Sequence, residues 1–311
     1  MHISHSMSLK AWLLLVVLSL IWGTSFLLIE VALTQLQPFT IVAFRLGIAA
    51  IVLLILMLAT GHRIPQGKSL WISLFIIGLL NNALPFSLIA WAQTEISSSL
   101  AAILNATTPL FTILLAHYFT HDERTTPNKI VGVLVGLVGI AVIFAPSLTN
   151  MNMGSLWGQL AALASSLSYA LAIIFSLRYA RLGIKPIDIT FGQLITSAII
   201  MIPAAIIFEN ANNMQMPTIE VIGAILVLSI VNSGFAYILY FKLIAAGGAT
   251  NASLVTITIP PVAIVLGISF LGESFLITHA IGISLIGVSL LIVNGYIMKF
   301  LSKKRKIISQ Q

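Results

Sequence analysis

The chain has 311 residues, of which 59% are hydrophobic and only 7% charged, and its mean hydropathy is +1.09. Water-soluble domains carry about a quarter charged residues, so lipid must serve as solvent for most of this apolar surface. The net charge of +7 does not point to nucleic acid, because the cations sit in short segments between apolar runs, and the absence of cysteine excludes disulfides and thiolate metal sites.

A helix needs about 20 apolar residues to cross the hydrocarbon core. Ten such spans are predicted, at 11–33, 38–60, 70–92, 97–119, 128–146, 155–178, 186–208, 218–242, 250–271 and 278–298. The first run, from Ala11, continues past the length of a secretory signal without a small-residue cleavage site, so it reads as a span. The cations set the orientation. With the N-terminus inside, the inner segments hold Lys10; Arg63 and Lys68; Arg124 and Lys129; Arg178, Arg181 and Lys185; Lys242; and the basic tail 299–311. The outer loops hold none, which predicts an inner-membrane protein with both termini cytoplasmic. The tail is expected to rest against anionic headgroups.

Polar residues within spans are costly unless satisfied or facing a watery cavity, so each is a candidate site residue. Span one carries Trp22, which could stack on a substrate or pack, and Glu30 near its outer end. Span two holds Arg45, expected to pair with Glu30, to bind a carboxylate, or to snorkel outward. Span three offers Asn81 and Asn82, with Pro85 freeing the carbonyl of Asn81. Trp91 near its outer end suits the interfacial aromatic belt. In span four, Ser98, Ala101, Asn105, Thr108 and Thr112 share one small, polar helical face. Pro109 frees the carbonyl of Asn105, giving an acceptor suited to an ammonium or amide group; close helix packing is the alternative. His117 is a candidate for proton coupling, together with Glu30. Gly132, Gly136 and Gly139 in span five read as packing. Span eight offers Asn232 and Ser233, then Tyr237 and Tyr240 on the Ser233 face, and in span nine Pro260 frees the carbonyl of Thr256. The expected substrate set is therefore Trp22, Arg45, Asn81, Asn82, Asn105, Thr108, Asn232, Tyr237 and Thr256.

The chain also repeats itself. Pro38-Phe39-Thr40-Ile41 recurs as Pro186-Ile187-Asp188-Ile189, Ala101–Pro109 as Ala252–Pro260, Glu123 as Glu273 and Gly132 as Gly282. The halves are 11–146 and 155–298, and an odd number of spans in each obliges the second to enter the membrane in the opposite sense. Inverted repeats around a midplane site are a recurring construction of secondary transporters. Trp22-Gly23-Thr24-Ser25-Phe26 resembles the signature of EamA-type drug/metabolite transporters, and Asp122-Glu123 and Gly272-Glu273 resemble the end of each EamA repeat. Ser168-Tyr169-Ala170 departs from the Trp-Gly pair expected in the second half. The resemblance implies an all-α fold of two inverted five-helix repeats that exports amino acids or related metabolites through a central cavity. Efflux of drugs or lipophilic cations is the alternative, followed by a channel or a non-catalytic membrane subunit, and a homodimer is left open. No catalytic pair, metal motif, ion filter or nucleotide-binding loop is visible, so neither an enzyme nor a cofactor is expected and a channel is disfavoured.

Overall fold

The fold was analysed in a computed structural model describing residues 9–62, 64–119, 127–149, 153–180, 184, 186–211, 214–240, 242–243 and 255–293. All regular structure among them is helical. Helix α1 is Leu9–Leu33 and α2 is Pro38–Ala59. Helix α3 runs Lys68–Gly78, passes through a π-helical turn at Leu79–Ala83 and continues as Leu84–Ala92. Helix α4 is broken into Ser98–Asn105 and Thr108–Phe119. Helices α5, α6 and α7 are Pro127–Thr149, Met153–Ala180 and Pro186–Glu209. Helix α8 is Ile219–Leu226 followed by a π-helical stretch, Val227–Phe235, and more α-helix to Tyr240. Helices α9 and α10 are Val255–Leu271 and Ile277–Val293. Seven described helices are long and apolar enough to cross a membrane, with shorter apolar helices at Ile130–Pro146, Thr258–Leu271 and Ile277–Ser289. The basic tail, Asp122 and Glu123 lie outside the described residues.

Local chemistry accounts for several boundaries. Proline opens α2, α5 and α7, where its missing N–H would have no partner anyway. Ser97 caps α4 by accepting from the Leu100 amide at 3.3 Å. Gly61 just beyond α2 takes φ +71, a left-handed conformation that stops the helix without steric cost.

The bundle has a largely apolar core that also holds many buried polar side chains, and its outer surface is strongly apolar. Ile55, Leu58, Leu134, Ile199, Ile207 and Phe270 are exposed, whereas Ser165, Ser166, Ser197, Gln193 and Asn82 are buried. An apolar exterior with polar groups kept inside is the arrangement a bilayer requires. It makes the chain a multi-pass membrane protein.

Helix directions follow from paired contacts. Ser19 meets Thr258, and Gly23 faces Val262, so α1 and α9 run parallel. Ile96 lies by Gly158 and Leu104 by Ser166, so α4 and α6 are also parallel. Phe39 meets Glu209 and Gly47 faces Ile202, which makes α2 and α7 antiparallel. Gly132 accepts from Ser289 while Gly139 abuts Gly282, which makes α5 and α10 antiparallel. These glycines are packing positions as expected: a Cβ on Gly139 would lie 2.9 Å from the Gly282 carbonyl. At one end of the bundle, the α1–α2 turn bonds to the α7–α8 loop through Gln35 and Thr218. Glu273, in the α9–α10 connection, reaches the start of α4 at that end.

Candidate functional site

The helices surround a central cavity of about 130 Å³. Its polar wall is Arg45, Asn81, Asn105, Thr108 and Thr256, with Ser25 beside them. Trp22, Phe86, Tyr169, Tyr237 and Tyr240 form the aromatic wall. Trp22 meets Tyr240 at 5.3 Å and Tyr237 at 6.0 Å between ring centroids, and Phe86 meets Tyr169 edge-on at 6.4 Å.

Arg45 is only 4% exposed, so it does not snorkel, and it does not pair with Glu30. Its Nε donates to Ser233 Oγ at 2.8 Å, and its guanidinium carbon lies 3.8 Å from the centre of the Phe86 ring. A flat, delocalised cation suits that stacked seat. Among the described residues, no other donor of Arg45 has a protein partner, and no carboxylate lines the cavity. Glu30 instead accepts from Gln93 Nε2 at 3.1 Å and is not part of the cavity wall. Gln93 anchors itself on the Phe26 carbonyl, which holds that amide beside Glu30 rather than leaving the carboxylate to Arg45.

The freed carbonyl expected at Asn105 is not available. The helix breaks at Ala106 and Thr107, and the hydroxyl of Thr108 donates back to the Asn105 carbonyl at 2.8 Å. The Asn105 side chain is another matter: it is 9% exposed, lines the cavity, and its Oδ1 has no partner among the described residues. Thr256 and Thr108 also lie in the wall.

Two of the expected asparagines are in the fabric around the cavity, not on its surface. Asn232 turns its Nδ2 toward α1, against the Ile21 carbonyl, Thr24 Oγ1 at 3.1 Å and Ser25 Oγ at 2.8 Å. Asn82 is fully buried and accepts from the Tyr237 hydroxyl at 2.8 Å. Asn81, which does reach the cavity, donates to Gln193 Oε1 at 3.1 Å and to the Tyr237 hydroxyl at 3.3 Å. The side chain of His117 lies outside the described residues.

The π turns explain why these residues gather here. An extra residue in a helical turn releases backbone groups, and side chains from the facing helix take them up. Ser168 donates to the Leu80 carbonyl at 2.7 Å, and Trp22 Nε1 donates to the Asn232 carbonyl at 3.0 Å. The Trp22-Gly23-Thr24-Ser25-Phe26 segment is thus organised around Asn232, with Gly23 close enough to α9 that a Cβ would lie 2.6 Å from Val262. Phe86 and Tyr169 line the cavity without having been expected there; Tyr240, offered with Tyr237 on the Ser233 face, joins them outside the expected substrate set, and Gln193, also not expected, lies outside the wall and accepts from Asn81. Tyr169 had a signal: it stands where the second half would place the counterpart of Trp22.

The sequence model of the EamA-like transporter family matches residues 9–145 and again 156–295. The chain belongs to the EamA-like transporter family. Its relatives include the uncharacterized transporter YoaV of Bacillus subtilis, 25% identical over 302 residues, covering 96% of this chain and 99% of YoaV. The uncharacterized inner membrane transporter YedA of Escherichia coli K12 is 27% identical over 261 residues, covering 83% and 81% of the two chains. Protein PecM of Dickeya dadantii is 24% identical over 291 residues, covering 93% and 94%. One solved crystal structure, 22% identical, covers 93% of this EamA-like chain and 98% of its own with a TM-score of 0.65, which establishes a shared fold.

Proposed function

We propose that this chain is a secondary transporter that exports amino acids or related small metabolites across the inner membrane, by alternating access of two inverted five-helix halves around the central cavity. The family membership supports transport, and the two family matches, 9–145 and 156–295, support two related halves. Ten alternating crossings require α1 and α9 to run parallel and the α2–α7 and α5–α10 pairs to run antiparallel, and the paired contacts Ser19–Thr258, Phe39–Glu209 and Gly132–Ser289 support this arrangement. The cations between the spans support placing both termini on the cytoplasmic side, which would put the end where α4 begins on the outside.

The observation that carries the substrate class is the buried guanidinium of Arg45, which among the described residues is bound to protein only through Nε, in a cavity that no described carboxylate lines. A buried cation without a counter-ion favours an anionic group on the ligand, and a guanidinium binds a carboxylate through two parallel hydrogen bonds. Asn105 supplies an amide that can turn its oxygen to an ammonium group. The aromatic wall accommodates an apolar side chain. The same Arg45 charge opposes a lipophilic cation, so drug-cation efflux is the weaker reading.

Efflux from proteoliposomes loaded with a mixed amino-acid and metabolite pool, with and without a pH gradient, tests this. The expected result is selective loss of an amino acid or a related carboxylate, abolished in Arg45→Ala and reduced in Asn105→Ala. Transport of a lipophilic cation in place of any carboxylate, or no movement under either condition, overturns it.

A further inference from the structure

We propose that Glu273 is the outer latch of the transport cycle, and that the cavity opens toward the outside only when the carboxylate releases the first turn of α4. The inference rests on the alternating-access reading above. Glu273 Oε1 accepts from the Ser98 amide at 2.7 Å and Oε2 from the Ser99 amide at 3.0 Å. These amides belong to the first turn of a helix, where no intrahelical acceptor exists and the helix dipole presents positive charge. A carboxylate from the second half of the chain therefore closes on a helix of the first half.

The connection is shaped for this contact. Gly272 adopts φ +64, and the Glu273 amide donates back to the Gly267 carbonyl at 3.2 Å, which turns the side chain toward α4. Gly267 leaves the seat clear: a Cβ there would lie 2.4 Å from Glu273 Oε2 and 2.5 Å from Ser99 Oγ. Both partners lead directly to the cavity. Ser98 begins the short helix whose last residue, Asn105, stands in the cavity wall, and the break at Ala106 and Thr107 separates that segment from the rest of α4. On the other side, α9 carries Thr256 and Ile259 in the wall.

The surroundings favour a contact that can open. A second cleft, of about 430 Å³ and mixed lining, lies against Glu273, with polar Glu95, Ser155, Ser274 and His279 and apolar Ile96 and Leu100 in its wall. Water in that cleft can solvate both the carboxylate and the amides when they part, so release leaves no polar group stranded in lipid. The other carboxylate clasp at this end differs. Glu209 binds the Phe39 and Thr40 amides and the Thr40 hydroxyl, and it joins α2 to α7, which pack side by side along their length. That pair holds the halves together, and Glu273 closes the mouth beside it.

The absence of cysteine makes the test direct. Ile29, in the cavity wall, is replaced by cysteine as the reporter, and the exposed Thr94 is replaced in a second chain to mark the outer side of the vesicles. Labelling by a membrane-impermeant maleimide is then timed from the side at which Thr94→Cys reacts. Glu273→Gln and Glu273→Ala should speed labelling of Ile29→Cys by about tenfold or more, since charge-assisted hydrogen bonds are lost, whereas Glu220→Gln should leave the rate unchanged. Gly267→Ala keeps the carboxylate but displaces it, and should give the same acceleration if Glu273→Ala fails to fold. Equal rates in the Glu273 and Gly267 variants and the parent, with labelling of the parent from one side at a time, overturn the latch but leave alternating access standing. Simultaneous labelling from both sides, or from neither in any chain, overturns alternating access and the latch with it.

Discussion

At the residue scale, Arg45 and Asn232 separate the two ways a membrane protein uses buried polarity. Arg45 keeps donors toward the cavity, whereas Asn232 is taken up by three acceptors on α1. Arg45→Lys should therefore lower efflux by about tenfold or more without destabilising the fold, because a lysine keeps the charge but loses the planar fork and the stacking on Phe86. Efflux assays paired with thermal unfolding in detergent check this. Asn232→Ala should do the opposite. It is expected to cost about 1–2 kcal/mol, the upper range for interhelical hydrogen bonds in membranes, and to lower the melting temperature while leaving substrate selectivity intact. The sequence pointed to Arg45, Asn81, Asn105, Thr108, Tyr237 and Thr256, which line the cavity, but not to the partners that each side chain takes. Ser233, the partner of Arg45, lies 188 residues away, so proximity along a hairpin pointed to Glu30 instead. Likewise, Pro109 correctly signalled a distorted helix, but the hydroxyl of Thr108 answers the carbonyl that the distortion frees.

Among elements, the tight contacts occur where glycine lets one helix approach another. Gly23 against Val262 sets the distance between α1 and α9. Gly23→Ala should destabilise by about 1–3 kcal/mol through overpacking, and Val262→Ala in the same chain should recover much of the loss. A double-mutant cycle on melting temperatures measures this coupling; simple additivity would assign the cost elsewhere. Helix positions were readable because hydropathy and length report them directly, and α2 begins at Pro38 and α7 at Pro186 as expected. The interruption of α4 and the π stretches of α3 and α8 were not readable. They depend on acceptors and donors supplied by other helices, such as Ser168 for Leu80 and Trp22 for Asn232.

For the whole molecule, apolar residues fill both the core and the outer surface while polar ones are kept inside, so the same surface that would aggregate in water is the one that lipid covers. The proposed orientation makes a further prediction. A reporter active only in the cytoplasm should work when fused to either terminus and fail when inserted after Ser274, and activity at that loop would require the topology to be inverted. The internal repeat divides the sequence at 11–146 and 155–298, and the family matches fall at 9–145 and 156–295. Contacts between the halves, such as Glu273 with Ser98, were not legible, because their partners lie 175 residues apart in the sequence.

The π stretches have a consequence for how chains of this kind can vary in length. Each successive residue of an α-helix turns the next by about 100°, so one surplus residue re-phases everything that follows it. In α3, the residues after Ala83 include Phe86, and in α8 those after Phe235 include Tyr237 and Tyr240. Deleting a single residue from Leu79–Ala83 would leave a span still apolar and long enough to insert, yet it would swing Phe86 away from Arg45 toward a different neighbour. A one-residue gap there, invisible to hydropathy, would cost the molecule its cavity.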